Sequence, residues 1–486
     1  MGNLRFTVPA ELEIDPRVWE TAYITGIEGI PWHCQSSKEG DQFNIGRQID
    51  ESGKLNIVWP TKRFGNVCLS TTSLRISENP YSLVVELARG MVSRLKTQTA
   101  EWQRVGLRLP DTFYPLAEDA LSQLLHALTC SAENQLRHAQ NAIDFAVEAA
   151  VSLSSTFSLQ ALEARRQGEG RLSTLLGIQI AKEFEMNKHP DAVGAAFNLV
   201  CVSADYGFVE SATGKAVYEP FDRQVEWTTE SNKKLCIGPL INFRPGGLPQ
   251  WMSLLGHGFE KMLQACCEYA QSAVERYRGK AHIWNCAAGL NVANEFRWTD
   301  EETLRMAVSL IETVRRADER SPVLLTIDQP WSEYLRQDIN GISPLHFADA
   351  LIRADLGLSG LALDLTMDRW PQGSFPREPT EYSRLIDRWS MLGLPLMVIL
   401  SSPTDLNTAQ QSKDSLVTQW GMSSEHAGLV QPERIVRLLL SKPSVHAVIW
   451  NNATSGENDC RQLWNSQGKP KPLLMDFVKL RRTYLH

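Results

Sequence analysis

At 486 residues the chain exceeds one ordinary compact domain, and 43 % hydrophobic with 22 % charged residues suits a folded globular protein with a sizeable core. A net charge of −7, with no Lys/Arg run interleaved with aromatics, lacks the basic surface that neutralises a phosphate backbone, so no nucleic-acid partner is expected. Nine cysteines without C-x-x-C spacing read as reduced core thiols rather than a disulfide or zinc framework, and neither a metal nor a cofactor is expected.

In chain order, Met1 to Phe6 carries no apolar h-region, and no apolar run reads as the roughly 20 residues that span a bilayer. A cytoplasmic protein without membrane contact is the expectation, and nothing in the sequence specifies an oligomeric state. Residues 1–80 hold short apolar stretches broken by Gly, Asn, Asp and Pro, such as Tyr23-Ile24-Thr25-Gly26 and Leu55-Asn56-Ile57-Val58-Trp59-Pro60. That texture is a small β-rich module, and Trp32 and Trp59 raise the alternative of a carbohydrate-binding sandwich beside the plainer one of a packing unit. Residues 81–166 change to helical spacing, from Leu83 to Lys96 and from Leu116 to about Ala164, with His126 and His138 read as structural. Gln167 to Arg171 is polar and bears Gly168 and Gly170, a linker.

From residue 172 to 486, β-rich runs alternate with helix-length amphipathic segments, the pattern of repeated βα units. Eight runs stand out: Leu175 to Ala181, Ala195 to Val202, Lys234 to Phe243, Ala281 to Ala287, Pro322 to Asp328, Gly360 to Leu365, Pro395 to Ser401, and Val445 to Trp450. Eight closes a (β/α)8 TIM barrel, an α/β fold whose reacting groups sit at the C-terminal strand ends. An open doubly wound sheet would carry a Gly-rich phosphate turn after its first strand, where Ala181-Lys182-Glu183-Phe184 stands instead.

Four segments resemble the family 10 glycoside hydrolases, the xylanase family. Gly238-Pro239-Leu240-Ile241-Asn242-Phe243-Arg244 followed by Leu248-Pro249-Gln250-Trp251 is similar to that family's third-strand Gly-His-x-Leu-x-Trp-His and Leu-Pro-x-Trp. Arg276-Tyr277-Arg278-Gly279-Lys280 leading into Trp284-Asn285-Cys286-Ala287-Ala288-Gly289 resembles Arg-Tyr-x-Gly-Lys before Trp-Asp-Val-Val-Asn-Glu. Leu392-Gly393-Leu394-Pro395 resembles the lead-in to Ile-Thr-Glu-Leu-Asp, and Trp450 with Gly468-Lys469-Pro470-Lys471-Pro472 resembles the last strand and tail. The resemblance covers about residues 172 to 486 and implies a carbohydrate ligand and O-glycosyl hydrolase chemistry.

Retaining hydrolysis needs two carboxyl groups about 5 Å apart, one protonated and one ionised. The resemblance puts the acid/base on Gly289 and the nucleophile on Leu400, neither of which can serve. Remaining strand-end carboxylates are Asp328, Asp364, Asp205 and Asp405; Asp328 and Asp364 lie on adjacent strands about 4.8 Å apart and form the candidate catalytic pair. Helix capping, or pairing with Arg353 or Arg369, is the alternative reading. Asn242, Arg244, Trp331, Glu333 and Trp450 are candidate substrate contacts, with Trp370 a further aromatic; Trp450 falls where the resembled family keeps a sugar-site Trp. Arg244 in place of a histidine suggests an anionic ligand such as a uronate, or else a rim salt bridge. Two readings stand: a glycosidase with displaced carboxylates, acting on or binding a poly- or oligosaccharide, or a non-catalytic relative used as a carbohydrate- or protein-binding scaffold. A structural or assembly role is the third.

Overall fold

The computed structural model describes the chain except residues 1, 10–13, 15, 181, 183, 185–189, 211–214, 256–257, 338–340, 368–372, 402–431, 453–462 and 466. Among the described residues, seven strands precede the barrel: β1 (Gly2–Thr7), β2 (Tyr23–Thr25), β3 (Cys34–Glu39), β4 (Gln42–Arg47), β5 (Lys54–Thr61), β6 (Gly65–Ser70) and β7 (Tyr81–Ser82). They form a four-stranded sheet in the order β3-β4-β1-β7 and a three-stranded sheet in the order β2-β5-β6. β1 alternates buried Leu4 and Phe6 with exposed Asn3 and Arg5, the period of two expected of a half-buried strand.

Three helices follow, Leu83–Arg104, Phe113–Thr129 and Ala132–Glu169. The first buries Leu83, Leu87, Met91 and Leu95 at a spacing of four, and Gly90 lets it lie directly on β6, because a Cβ there would sit 2.0 Å from the Ser70 carbonyl oxygen. The third buries a run of small residues, Ala139, Ala142, Ala146 and Ala149, so its neighbours approach closely. It continues through the expected linker to Gly170, which ends it at φ 74°. By length and composition alone this helix could cross a membrane, and 56 % of its apolar window is buried against other parts of the protein. Strands and helices share one hydrophobic core, which also takes in Phe375 from far along the chain.

The remaining strands are β8 (Leu175–Ile180), β9 (Leu199–Val202), β10 (Lys234–Ile237), β11 (Ile241–Asn242), β12 (Ile283–Asn285), β13 (Ala287–Ala288), β14 (Val323–Asp328), β15 (Gly360–Thr366), β16 (Leu396–Ser401) and β17 (Val445–Asn451). Eight of them close a parallel barrel in the order β10-β12-β14-β15-β16-β17-β8-β9, a (β/α)8 TIM barrel. Each expected run contributes a barrel strand. The second is shorter than expected, since residues up to Ala196 belong to a helix from Pro190. The third and fourth are each split, with the short pieces β11 and β13 pairing beside the barrel; Pro239, at a cis peptide bond, has no N–H to continue the ladder.

Inside the barrel, Leu199, Cys201, Cys236, Leu324, Ala362, Met397, Ile399, Ala447 and Ile449 form an apolar plug. One pleat further toward the C-terminal ends the inward positions turn polar. Gln179 donates to Ser203 at 2.9 Å and Asn285 to Thr326 at 2.8 Å, so the buried polar groups of this layer satisfy one another. This polar layer is the floor of the mouth.

Candidate functional site

Counting by twos along β14 from Leu324 puts Thr326 and then Asp328 inward; counting along β15 from Ala362 does the same for Asp364. The two aspartates are register partners on adjacent strands, and both are buried. The chain therefore brings the expected pair together. Between them lies Arg244, whose Nε donates to Asp328 Oδ1 at 2.6 Å and whose Nη2 donates to Asp364 Oδ2 at 2.5 Å. The other oxygens are occupied as well. Asp328 Oδ2 accepts from the Gly289 backbone N–H at 2.6 Å, and Asp364 Oδ1 accepts from the Thr366 backbone N–H at 2.8 Å and its hydroxyl at 2.6 Å. Asn291 holds the Asp328 backbone on both sides, taking its N–H at 3.0 Å and donating to its carbonyl at 2.9 Å.

Burial raises the Asp328 carboxyl, Arg244 pulls it down, and the Asp364 charge pushes it up again; the balance is upward. Burial likewise opposes the Arg244 charge, yet the two aspartates more than offset it and keep the guanidinium protonated. The rim salt bridge is thus what Arg244 forms, and its charge is matched by two carboxylates rather than held open for an anion.

Asn242 extends the cluster. Its Oδ1 accepts from the Arg244 backbone N–H at 3.3 Å and its Nδ2 donates to Asp205 Oδ2 at 3.4 Å. Asp205 caps the short helix Tyr206–Val209, accepting from the Phe208 N–H at 3.0 Å, and is 1 % exposed. Burial pushes its pKa up to about 7, against the Phe208 and Asn242 hydrogen bonds and the Arg244 charge. Asp205, a strand-end carboxylate outside the expected catalytic pair, thus belongs to the same cluster. Its signal was its place three residues past β9, where an inward carboxylate meets the polar layer.

The other expected contacts lie elsewhere. Glu333 is fully buried and pairs with Arg377 at 2.9 Å; the same Nη2 donates to the Tyr23 hydroxyl at 2.6 Å, and the guanidinium carbon lies 4.6 Å from the Trp331 ring centroid. Trp331 meets Tyr382 edge-on at 5.3 Å. Both residues thus belong to a clasp where the loops after β14 and β15 meet the N-terminal sheets, to which Arg336 adds a bond to the Ala22 carbonyl at 2.7 Å. Trp450 is 1 % exposed and packs against Phe477 of the closing helix Pro472–Tyr484, because its strand turns Ile449 inward and Trp450 toward the helices. Trp59, also fully buried, donates to Gln140 at 2.9 Å, so its ring belongs to the N-terminal core. Arg353 pairs with Asp349 on its own helix, not with either aspartate of the mouth. Trp370, Arg369 and Asp405 lie outside the described residues.

At the two positions where the resemblance would put catalytic glutamates, Gly289 has φ 76°, and a Cβ there would sit 2.8 Å from Arg244 atoms. Leu400 is fully buried in the outer core, while its neighbours Ile399 and Ser401 take the inward parity. Glu295 is exposed on a short 3-10 turn.

No protein-family model and no curated protein sequence matches the chain. The solved structures it is similar to include family 10 xylanases. Xylanase 10B from Thermotoga maritima is 13 % identical with a TM-score of 0.47, covering 65 % of this chain and 98 % of that one. The xylobiose complex of xylanase 10B from Thermotoga petrophila RKU-1 is 14 % identical with a TM-score of 0.47, covering 64 % and 94 %. A psychrophilic family 10 endo-β-1,4-xylanase is 14 % identical with a TM-score of 0.48, covering 63 % and 96 %.

Proposed function

We propose that the barrel mouth binds a neutral oligosaccharide through Asp205, Asn242 and the Arg244 cluster, and that it does not hydrolyse it by a two-carboxylate displacement. The observation that carries this reading is the Arg244 bridge. An attacking carboxylate needs an oxygen free to approach the anomeric carbon, and a general acid needs a proton directed at the leaving oxygen. Asp328 and Asp364 have all four oxygens committed to Arg244, Gly289 and Thr366. The polar floor and the buried Asp205 offer donors and acceptors suited to hydroxyl groups, and matching of the Arg244 charge favours an uncharged sugar. In this reading residues 172–486 are the ligand-binding barrel, and residues 1–80 with 81–166 brace its rim.

The test pairs a screen of chromogenic glycosides with calorimetric titration of neutral oligosaccharides on the purified chain. Binding that weakens about tenfold in Asn242→Ala, with no turnover, is the expected result. Turnover that disappears in Asp328→Asn or Asp364→Asn would overturn the non-hydrolytic half and restore the pair as catalytic.

A further inference from the structure

The barrel has a second opening, at the amino-terminal ends of its strands, and a cavity of about 350 Å³ lies there. That falls in the range of about 300–1,000 Å³ usual for small-ligand sites. Its roof is the underside of the apolar plug, where Leu175, Ile283, Leu324, Met397 and Ala447 line it. Leu175 and Ile283 are only half-buried, whereas Ile399 and Ile449, deeper in the same plug, are sealed. The plug separates this cavity from the polar floor of the mouth. A strand irregularity shapes the wall. Val445 and Ala447 are two apart on β17, so regular alternation would point both the same way. Instead the register against β16 steps from Leu396 beside Val445 to Met397 beside Ala447, and His446 is the extra residue of a β-bulge. Val445 therefore packs in the outer core while Ala447 faces the barrel axis, and His446, exposed, lines the cavity. Among the described residues, no hydrogen bond holds the His446 ring.

The charge around this cavity is one-sided. None of the described residues lining it is acidic, although the chain as a whole carries a net charge of −7. Arg165 lines it with its charge matched by Glu169 at 3.0 Å. Arg315 abuts the wall: its Nη2 donates to the hydroxyl of Ser359, a lining residue, at 3.1 Å, and its other donors go to the carbonyls of Gly357, Glu319 and Ser321. Among the described residues no carboxylate pairs with Arg315, so its positive charge stands unmatched beside the cavity. An apolar roof open to water, with an uncommitted imidazole and an unmatched cation at its edge, suits a molecule that is apolar at one end and anionic at the other.

We propose that this amino-terminal cavity binds a medium-chain carboxylate. The hydrocarbon tail lies against Leu175, Ile283, Leu324 and Met397, and the carboxylate sits toward the opening, where it accepts from the His446 ring in the positive field of Arg315. The site is independent of the barrel mouth and of any oligosaccharide bound there.

The experiment is isothermal titration of the full chain with sodium octanoate, with acetate and 1-octanol as comparators. Octanoate should bind, more weakly as NaCl rises, and acetate, which has the head without the tail, should not. Affinity should rise about tenfold from hexanoate to octanoate, since each buried methylene is worth about threefold to fourfold. The neutral 1-octanol should bind about tenfold less tightly than octanoate. His446→Leu keeps an apolar side chain but removes the donor, and should weaken octanoate about tenfold. Ser173→Trp, at an exposed position on the rim, should block the entrance and abolish binding while circular dichroism stays native. Absence of octanoate binding, 1-octanol binding as tight as octanoate, or octanoate binding unchanged in both variants would overturn the proposal. A separate titration with xylobiose reports on the mouth, so failure of one site does not imply failure of the other.

Discussion

Two arginine–carboxylate clusters sit on the same rim, and Asp328 of one is only five positions from Glu333 of the other in the chain. The Arg377–Glu333 pair is 3 % and 0 % exposed and sealed beneath the N-terminal sheets, with Tyr23 completing it. Arg244, between Asp328 and Asp364, keeps 27 % of its side chain exposed and faces the mouth. Similar chemistry is thus put to two uses, and access to solvent decides which: the sealed cluster fastens one part of the molecule to another, while the open one arranges polar groups that a ligand can meet.

The sharpest way to break that contrast is to remove each cation. Arg377→Ala leaves Glu333 buried with its charge unmatched and is expected to cost about 3–5 kcal/mol, read as a large shift in the chemical-denaturation midpoint. Arg244→Met should cost less, about 1–3 kcal/mol, because Arg244 is the more exposed cation and Gly289 and Thr366 still donate to the two aspartates it leaves behind, and oligosaccharide binding should fall with it. Equal losses in the two variants would mean that exposure does not separate the clusters.

Asp205 sharpens the comparison through pH. Its folded-state pKa of about 7 stands above the ordinary value of 3.8, so between those values the folded chain holds this proton more tightly than the unfolded chain. The Asp205 contribution to stability is therefore greatest in acid, falls as pH rises from about 4 to about 7, and is level above that. Asp205→Asn keeps an acceptor for Phe208 without the charge, so it should gain about 1–3 kcal/mol over the parent near pH 8 and nothing near pH 4. Thermal unfolding at the two pH values checks this; a variant that loses stability at both would show the carboxylate to be favourable in its ionised form. The smallest effect belongs to Arg353→Ala, whose exposed pair with Asp349 should be worth under about 0.5 kcal/mol, measured by the same unfolding curves.

The barrel was legible because each strand is a short apolar run bounded by helix-length amphipathic sequence, and eight such runs allow few arrangements. The inward pairing of Asp328 with Asp364 was legible too, since both follow apolar inward residues by even steps. What was not legible depended on contacts between distant segments. Nothing near Asp328 in the chain announces that Arg244 will reach it from the loop after β10. Trp331 and Glu333 read as rim residues because the rim is where they are; only the approach of Tyr23 and Phe375 turns that part of the rim into an interface. Trp450 misled through parity, as one step along β17 exchanges the mouth for the helix layer.

Phe375 carries a consequence for how the molecule is assembled. Its ring fills a place in the core built by the first 153 or so residues, stacked near Tyr23 at 6.5 Å, yet it is synthesised long after them. Until that late segment emerges, the early core has an aromatic-sized gap and an exposed apolar rim, the kind of surface that chaperones shield during translation. A fragment ending before the barrel would retain that gap permanently, so the amino-terminal part depends on the carboxy-terminal part to finish its own interior.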